Sequence, residues 1–498
     1  MTREIEKIFI GRTYDDFLVR PELGVVSSRR DVALAAPLSR HLLVDFPVVS
    51  ANMDSVTEMQ MAKMMALEGG IGFIHRGMSI AEQVDMVKRV KRSQGYVVEQ
   101  PLSLPRDVTI REAMEFIRQH HITGILIEEG RSSRVLAGLL SNRDIPWTDD
   151  HLDHRVDRFM TPRGRLVTAR PGIAVEEAER VMFEHRIEKL PLVDDAGRIA
   201  GLITKKDILL SRQLPGSSRD AKGRLLVGAA IGARGDFLER AAELVAAGAD
   251  VILIDIAHGH SRIMKEAVLA FRRQLGATEL IAGNAGTAAG ARFLADLGVD
   301  AIKIGIGPGR GCRTRLETAA GVPQLQAVRE AWCEVGDTVP LIADGGARND
   351  KDIFLAIACG AATVMLGSML SGTDEAPGHV IEDPATREKR KIYRGMTSPQ
   401  AVFETLYDED AGQPDRWQPN LGQLDPAALA IPAEGQEVQI PYQGSVLSIL
   451  HRIRGHLRSA VSYSGGRTLA EVRARIAADP ARYLIPLSAA ARGESYER

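Results

Sequence analysis

The chain is poor in cysteine: its 498 residues include three, Cys312, Cys333 and Cys359. An odd number without framework spacing excludes a disulfide scaffold and suits a reducing compartment. Long apolar runs are also missing, since no window offers the roughly 18 uncharged apolar residues of a membrane-spanning helix. Net charge is scarce, −2 from 63 basic and 65 acidic residues, so neither nucleic acid nor an acidic membrane surface is expected as a partner. The opening Met1-Thr2-Arg3-Glu4-Ile5-Glu6-Lys7 mixes charges and does not read as a secretory signal, so the expected location is cytoplasmic.

What is present is an ordinary globular balance, 45% hydrophobic and 26% charged, in a chain long enough for about two to four domains. Its densest local signal is Gly305-Ile306-Gly307-Pro308-Gly309-Arg310-Gly311-Cys312-Arg313-Thr314-Arg315, which follows the apolar run Ala301-Ile302-Lys303-Ile304. This is the grammar of a strand ending in a loop whose backbone takes conformations cheap only for glycine. Cys312 is flanked there by Arg310, Arg313 and Arg315. Positive charge near a sulfur favours the thiolate, the nucleophilic form, which makes Cys312 the expected covalent catalyst. Cys333 and Cys359 fall in segments of helical period and read as core.

Short apolar runs alternate with such segments along the chain. The strand candidates are Pro47 to Asn52, Ile71 to His75, Leu225 to Ala230, Val251 to Ile256, Leu280 to Asn284, Ala301 to Ile306, Pro340 to Ala343 and Thr363 to Leu366. Eight buried-type strands alternating with helices predict an α/β fold of the (β/α)8 barrel kind, with a doubly wound open sheet as the alternative. Several strands finish in small or polar residues, and in such a barrel that rim carries the chemistry. Gly345, Gly346, Gly367 and Ser368, after the last two strands, are expected to cradle a phosphate with backbone amides. His258 and His260 have no third ligand spaced with them and read as loop polarity.

About 150 residues separate the second strand from the third, too many for one crossover. The gap holds a repeat: Val108-Thr109-Ile110-Arg111-Glu112-Ala113 returns as Ile173-Ala174-Val175-Glu176-Glu177-Ala178. Likewise Gly138-Leu139-Leu140-Ser141-Asn142-Arg143-Asp144 returns as Gly201-Leu202-Ile203-Thr204-Lys205-Lys206-Asp207. Each copy reads helix, strand, strand, helix and is too short to bury its apolar face alone. Residues 94–214 resemble a tandem pair of CBS domains. That resemblance implies that Ser141, Asp144, Thr204 and Asp207 contact the ribose of purine nucleotides, in a regulatory insert between barrel segments 1–93 and 215–498.

Outside the insert, from about Tyr14 onward, the motifs come in order: Ser50-Ala51-Asn52-Met53-Asp54-Ser55-Val56-Thr57, Gly70-Ile71-Gly72-Phe73-Ile74-His75 and Asp255-Ile256-Ala257-His258-Gly259-His260-Ser261. Ala282-Gly283-Asn284, the cysteine loop, Gly321-Val322-Pro323-Gln324, Ala343-Asp344-Gly345-Gly346, Met365-Leu366-Gly367-Ser368 and Tyr393-Arg394-Gly395-Met396 follow. The chain resembles the IMP dehydrogenase and GMP reductase family, whose members carry a paired CBS insert in this position. The resemblance implies a purine nucleoside 5′-monophosphate as substrate. Asp344 would hold its ribose; Gly346, Gly367, Ser368 and Tyr393 its phosphate; Gly395, Met396 and Glu434 its hypoxanthine. Asp255 would bind the nicotinamide ribose of NAD, with Asn284 beside the stacked rings and Gly305 nearby. A potassium ion would sit on Gly305, Gly307 and Cys312, and the protein would assemble as a homotetramer that can pair into an octamer.

In a dehydrogenase of this kind Cys312 adds to C2 of IMP, hydride leaves for NAD, and water releases XMP. Arg416, in Asp415-Arg416-Trp417, would be the base for hydrolysis, with Thr314 assisting. A reductase would instead use NADPH to deaminate GMP. Such enzymes place a glutamate just after Gly-Met-Ser-Ser, where this chain has Gly395-Met396-Thr397-Ser398-Pro399-Gln400. The missing carboxylate favours the dehydrogenase. GMP reductase, and a nucleotide-binding regulator without turnover, are the alternatives.

Overall fold

The computed structural model describes residues 5–93, 98, 101–120, 122–145, 149–205, 208, 216–384, 386–399 and 433–496. They fall into two compact units, Met1–Lys91 with Gly216–Ser218 and Leu225–Arg498, and Arg92–Pro215 with Arg219–Arg224.

In the first unit eight strands lie side by side and close on themselves. They are β1 (Val48–Ser50), β2 (Ile71–Ile74), β3 (Gly228–Ile231), β4 (Val251–Asp255), β5 (Glu279–Ala285), β6 (Ala301–Ile304), β7 (Leu341–Asp344) and β8 (Thr363–Leu366). All pairings are parallel, and β8 meets β1 with Val364 opposite Val48 and Leu366 opposite Ser50, which shuts the ring. A closed ring leaves no exposed edge. Strands covered on both faces read as continuous apolar runs, and every residue of β2, β3, β6 and β8 is buried. The barrel is therefore the closed one, not the open sheet.

Helices return the chain outside the ring: α1 (Met59–Leu67), α2 (Ile80–Ser93), α3 (Phe237–Ala246), α4 (Arg262–Leu275), α5 (Ala288–Asp296), α6 (Gln324–Val335), α7 (Asp350–Ala358) and α8 (Val446–Tyr463). Side-chain caps start five of them: Ser79 for α2, Ser261 for α4, Thr287 for α5, Asn349 for α7 and Ser445 for α8. Among the described residues no helix is long and apolar enough to cross a membrane.

One strand starts later than its apolar run predicts. Leu225 to Val227 are buried, yet Leu226 donates to the Ser218 carbonyl at 2.9 Å and Val227 to Asp250 Oδ2 at 2.8 Å. Their polar groups are satisfied outside the ladder, so the strand begins at Gly228.

A buried arginine ties the chain start to the barrel. Arg329 on α6 is fully buried, pairs with Glu6 (Nε to Oε2 2.9 Å), and lies over the rings of Phe9 and Trp332. Arg329→Met is expected to destabilise the protein by about 2–3 kcal/mol, less than for a fully enclosed pair because Glu6 keeps some solvent contact. A urea unfolding titration would read this as a lowered midpoint; an unchanged one would mean that the guanidinium contributes nothing net.

The second unit repeats one pattern. Helix Ile110–Gln119 precedes strands Gly124–Glu128 and Leu136–Ser141; helix Val175–Glu184 precedes Lys189–Val193 and Ile199–Thr204. Neither half buries its apolar face alone. Leu126 and Leu136 of the first cluster with Val193, Ile199 and Leu202 of the second.

Candidate functional site

The carboxyl ends of the strands converge on a cavity of about 270 Å3. Its wall takes Asn52 after β1, Asp255 from β4, Asn284 from β5, Lys303 from β6, Asp344 from β7 and Gly367 after β8. Gly305, which opens the loop after β6, has φ +149°, and a Cβ there would stand 2.1 Å from the Asp344 carbonyl oxygen. No other residue type fits that approach.

Cys312 is half-buried, and its N–H donates to the Gly309 carbonyl at 3.0 Å. Its Sγ lies 3.1 Å from Thr314 Oγ1, which in turn donates to Glu434 Oε2 at 2.7 Å. Glu434 reaches Thr314 because its segment runs antiparallel to the cysteine loop. Cys312 bridges Gly435, Arg313 N donates to the Glu434 carbonyl at 2.7 Å, and Gln436 N donates to Gly311 at 2.9 Å.

Two of the neighbouring arginines hold the loop with their donors. Arg313 pairs with Glu317 at 2.7 Å, and Arg315 donates to the carbonyls of Ile306 and Val322. Both spend their donors stitching the loop, so the sulfur's hydrogen-bond partner among the described residues is the Thr314 hydroxyl, while Arg315 acts on the sulfur through its charge.

The opposite wall is ionic. Lys303 Nζ lies 2.5 Å from Asp344 Oδ2 and 3.1 Å from Asp255 Oδ1. Asn52 Nδ2 donates to Asp255 Oδ2 at 2.7 Å. Asn284 Nδ2 donates both to Asp344 Oδ2 at 2.9 Å and to the Gly305 carbonyl at 2.6 Å. The last bond bears on the expected potassium site. The Gly305 oxygen accepts from Asn284 and keeps a second lone pair, but even with Gly307 and Cys312 the loop offers three carbonyls, too few oxygens for a hard cation. The three residues by themselves do not make a cage.

After β7, where a phosphate is expected, Gly345 and Gly346 have φ +86° and +83°. A Cβ on Gly367 would fall 2.8 Å from the Tyr393 hydroxyl. Tyr393 is 4% exposed, and burial, reinforced by Asp344, pushes its pKa up, so at neutral pH it is a phenol able to donate. Gly395 and Met396 follow it on the cavity wall.

The cavity thus gathers Cys312, Thr314, Glu434, Asp344, Gly367, Tyr393, Gly395, Met396, Asp255, Asn284, Gly305 and Gly307. Gly346 and Ser368 adjoin lining residues without lining it themselves. Arg416 and Asp207 lie outside the described residues. In the second unit Ser141 Oγ donates to Asp144 Oδ2 at 2.7 Å, and Thr204 ends its strand.

Sequence reasoning missed Lys303 and Asn52. The signal for Lys303 was available: a lysine inside a strand buried on both faces must find carboxylate partners.

Known proteins resemble this chain along nearly its whole length. Residues 11–496 match the model of the IMP dehydrogenase / GMP reductase domain. The inosine-5′-monophosphate dehydrogenase of Nitrosopumilus maritimus is 42% identical over 93% of this chain and 94% of its own. That of Aquifex aeolicus is 39% identical over 94% and 93%. A crystal structure of GMP reductase from Trypanosoma brucei in complex with guanosine 5′-monophosphate superposes with a TM-score of 0.84 at 37% identity, covering 98% of each chain.

Proposed function

Because this chain belongs to the IMP dehydrogenase / GMP reductase family, we propose that it is an NAD-dependent IMP dehydrogenase of guanine nucleotide biosynthesis, acting through a covalent adduct on Cys312. One observation carries the mechanism: a thiol, a hydroxyl and a carboxylate in a hydrogen-bonded line, Cys312 to Thr314 to Glu434, facing a cavity with two further carboxylates.

C2 of the purine is a poor hydride donor until a nucleophile makes it tetrahedral. Thr314 passes the thiol proton to Glu434, the sulfur bonds to C2, and the C2–N3 π pair moves onto N3, which takes up a proton. Bound NAD would supply the hydride acceptor; the C2–H bond breaks with its electron pair as the C2–N3 double bond re-forms and N3 gives up its proton. Water then adds to C2, the C–S bond breaks, and the thiolate is regenerated. Net, IMP, NAD⁺ and water give XMP, NADH and a proton. Asp344 holds the substrate ribose, and Asp255, beside Asn284 and Gly305, the nicotinamide ribose, each carboxylate accepting from hydroxyls. Gly346, Gly367, Ser368 and Tyr393 hold the phosphate, and Gly395 and Met396 the base. Arg416 is the proposed hydrolytic base, with Thr314 assisting. No step is derived through potassium, which would need oxygens beyond the cysteine loop.

A second reading, NADPH-dependent GMP reductase, is favoured by the likeness to the trypanosomal enzyme. The carboxylate missing after Thr397-Ser398 also argues less against it than the sequence suggests, since Glu434 brings an acid to Thr314 from another segment. The two readings separate in one cuvette. IMP with NAD⁺ is expected to raise absorbance at 340 nm; a fall with GMP and NADPH, and no rise with the first pair, would reverse the assignment.

The second unit is proposed to be a regulatory tandem CBS pair binding purine nucleotides through Ser141, Asp144, Thr204 and Asp207. The internal repeat and the Ser141–Asp144 hydrogen bond support it. The protein is proposed to work in the cytoplasm as a homotetramer that can pair into an octamer.

A further inference from the structure

We propose that Lys303 is a positioning residue that fixes the carboxylates of both nucleotide subsites, Asp344 and Asp255, with one buried ammonium, so that substrate and cofactor affinities rest on the same charge. The proposal builds on the reading of those carboxylates as ribose holders.

Lys303 sits in the third position of β6 and is 3% exposed, yet it lines the cavity. Among the described residues the cavity wall carries two cations, Arg76, which is exposed, and Lys303, which is buried. An ammonium has three donors, and two of them are accounted for by Asp344 Oδ2 and Asp255 Oδ1. The neighbouring strand makes room for it. Gly283 of β5 stands in register with Lys303, and a Cβ at Gly283 would meet the Lys303 Cβ at 2.5 Å and its carbonyl oxygen at 2.8 Å. Burial alone would pull the lysine's pKa down, but Asp255 and Asp344 lift it above its ordinary value, so it is charged at neutral pH.

The bridge leaves binding capacity on the substrate side. Among the described residues the donors to Asp344, Lys303 and Asn284, both reach Oδ2, which leaves Oδ1 for a diol. On the other side Asn52 fixes the second oxygen of Asp255. Remove the ammonium and two carboxylates share one wall without a counter-charge. They then repel, and either turns away or takes up a proton; both outcomes spoil a diol acceptor. A fault at Lys303 therefore reaches two ligands, whereas Asp344 and Asp255 are each assigned to one.

The test measures IMP and NAD⁺ binding by calorimetry in full-length protein carrying Cys312→Ala, which stops turnover. Adding Lys303→Met is expected to raise both dissociation constants at least about tenfold, or ~1.4 kcal/mol each. Lys303→Arg, which keeps the charge, is expected to recover part of both losses; a merely damaged barrel would show no such rescue. A loss confined to one ligand would overturn the bridge. Should Lys303→Met fail to fold, Asp344→Asn carries the test: NAD⁺ affinity is then expected to change at least about threefold through Lys303, by ~0.65 kcal/mol, and no change would overturn the proposal. Failure of the parent protein to bind IMP and NAD⁺ at all would overturn the reading of the subsites themselves.

Discussion

Replacing Cys312 with serine should lower turnover at least about a thousandfold while IMP affinity stays within roughly threefold. The sulfur makes the bond on which hydride departure depends. A serine hydroxyl in its place holds its proton too tightly for Thr314 and Glu434 to remove. Binding survives because the groups assigned to phosphate and ribose, Gly367, Tyr393 and Asp344, hang on other strands. Stopped-flow absorbance at 340 nm would follow the chemistry and calorimetry the affinity. Mass spectrometry of wild-type protein quenched during turnover should find a nucleotide joined to this side chain. Absence of that mass, or turnover retained by the serine variant, would remove covalent catalysis.

Glu434→Gln should reduce kcat about 10²–10⁴-fold, the range for a positioned proton acceptor. Glutamine keeps an oxygen for the Thr314 hydroxyl, so the geometry persists while the proton sink disappears. Thr314→Val breaks the same relay at its middle. Because the two residues act as one path, the double variant should be little worse than either single one. Losses that multiply in the double variant would mean that threonine and glutamate act separately, and the relay would have to be abandoned.

Much of the barrel was legible because its strands are buried on both faces, so runs such as Val251 to Ile256 and Thr363 to Leu366 stand out against amphipathic helices. Boundaries were less legible. Nothing in Leu225-Leu226-Val227 reveals that Ser218 and Asp250 claim its backbone before the ladder does. Cys312, Asp344 and Gly367 could be found because chemistry at a strand's end shows as polar or glycine-rich punctuation. The link from the thiol to an acid was harder to read. Thr314 is two residues away, but Glu434 is 120 residues beyond Thr314 and reaches it only through the strap along Gly435 and Gln436. Closeness in sequence to Cys312 likewise does not tell where the hydrogen-bond donors of Arg313 and Arg315 turn, although the charge of Arg315 still bears on the sulfur.

Of the three thiols, Cys333 and Cys359 are sealed within the packed interior, and burial pushes Cys359 up to about 12, leaving it inert at neutral pH. An alkylating reagent added to the native enzyme therefore meets a single address. Moles of label incorporated per chain would count competent catalytic centres directly, and a monophosphate already seated would shield them.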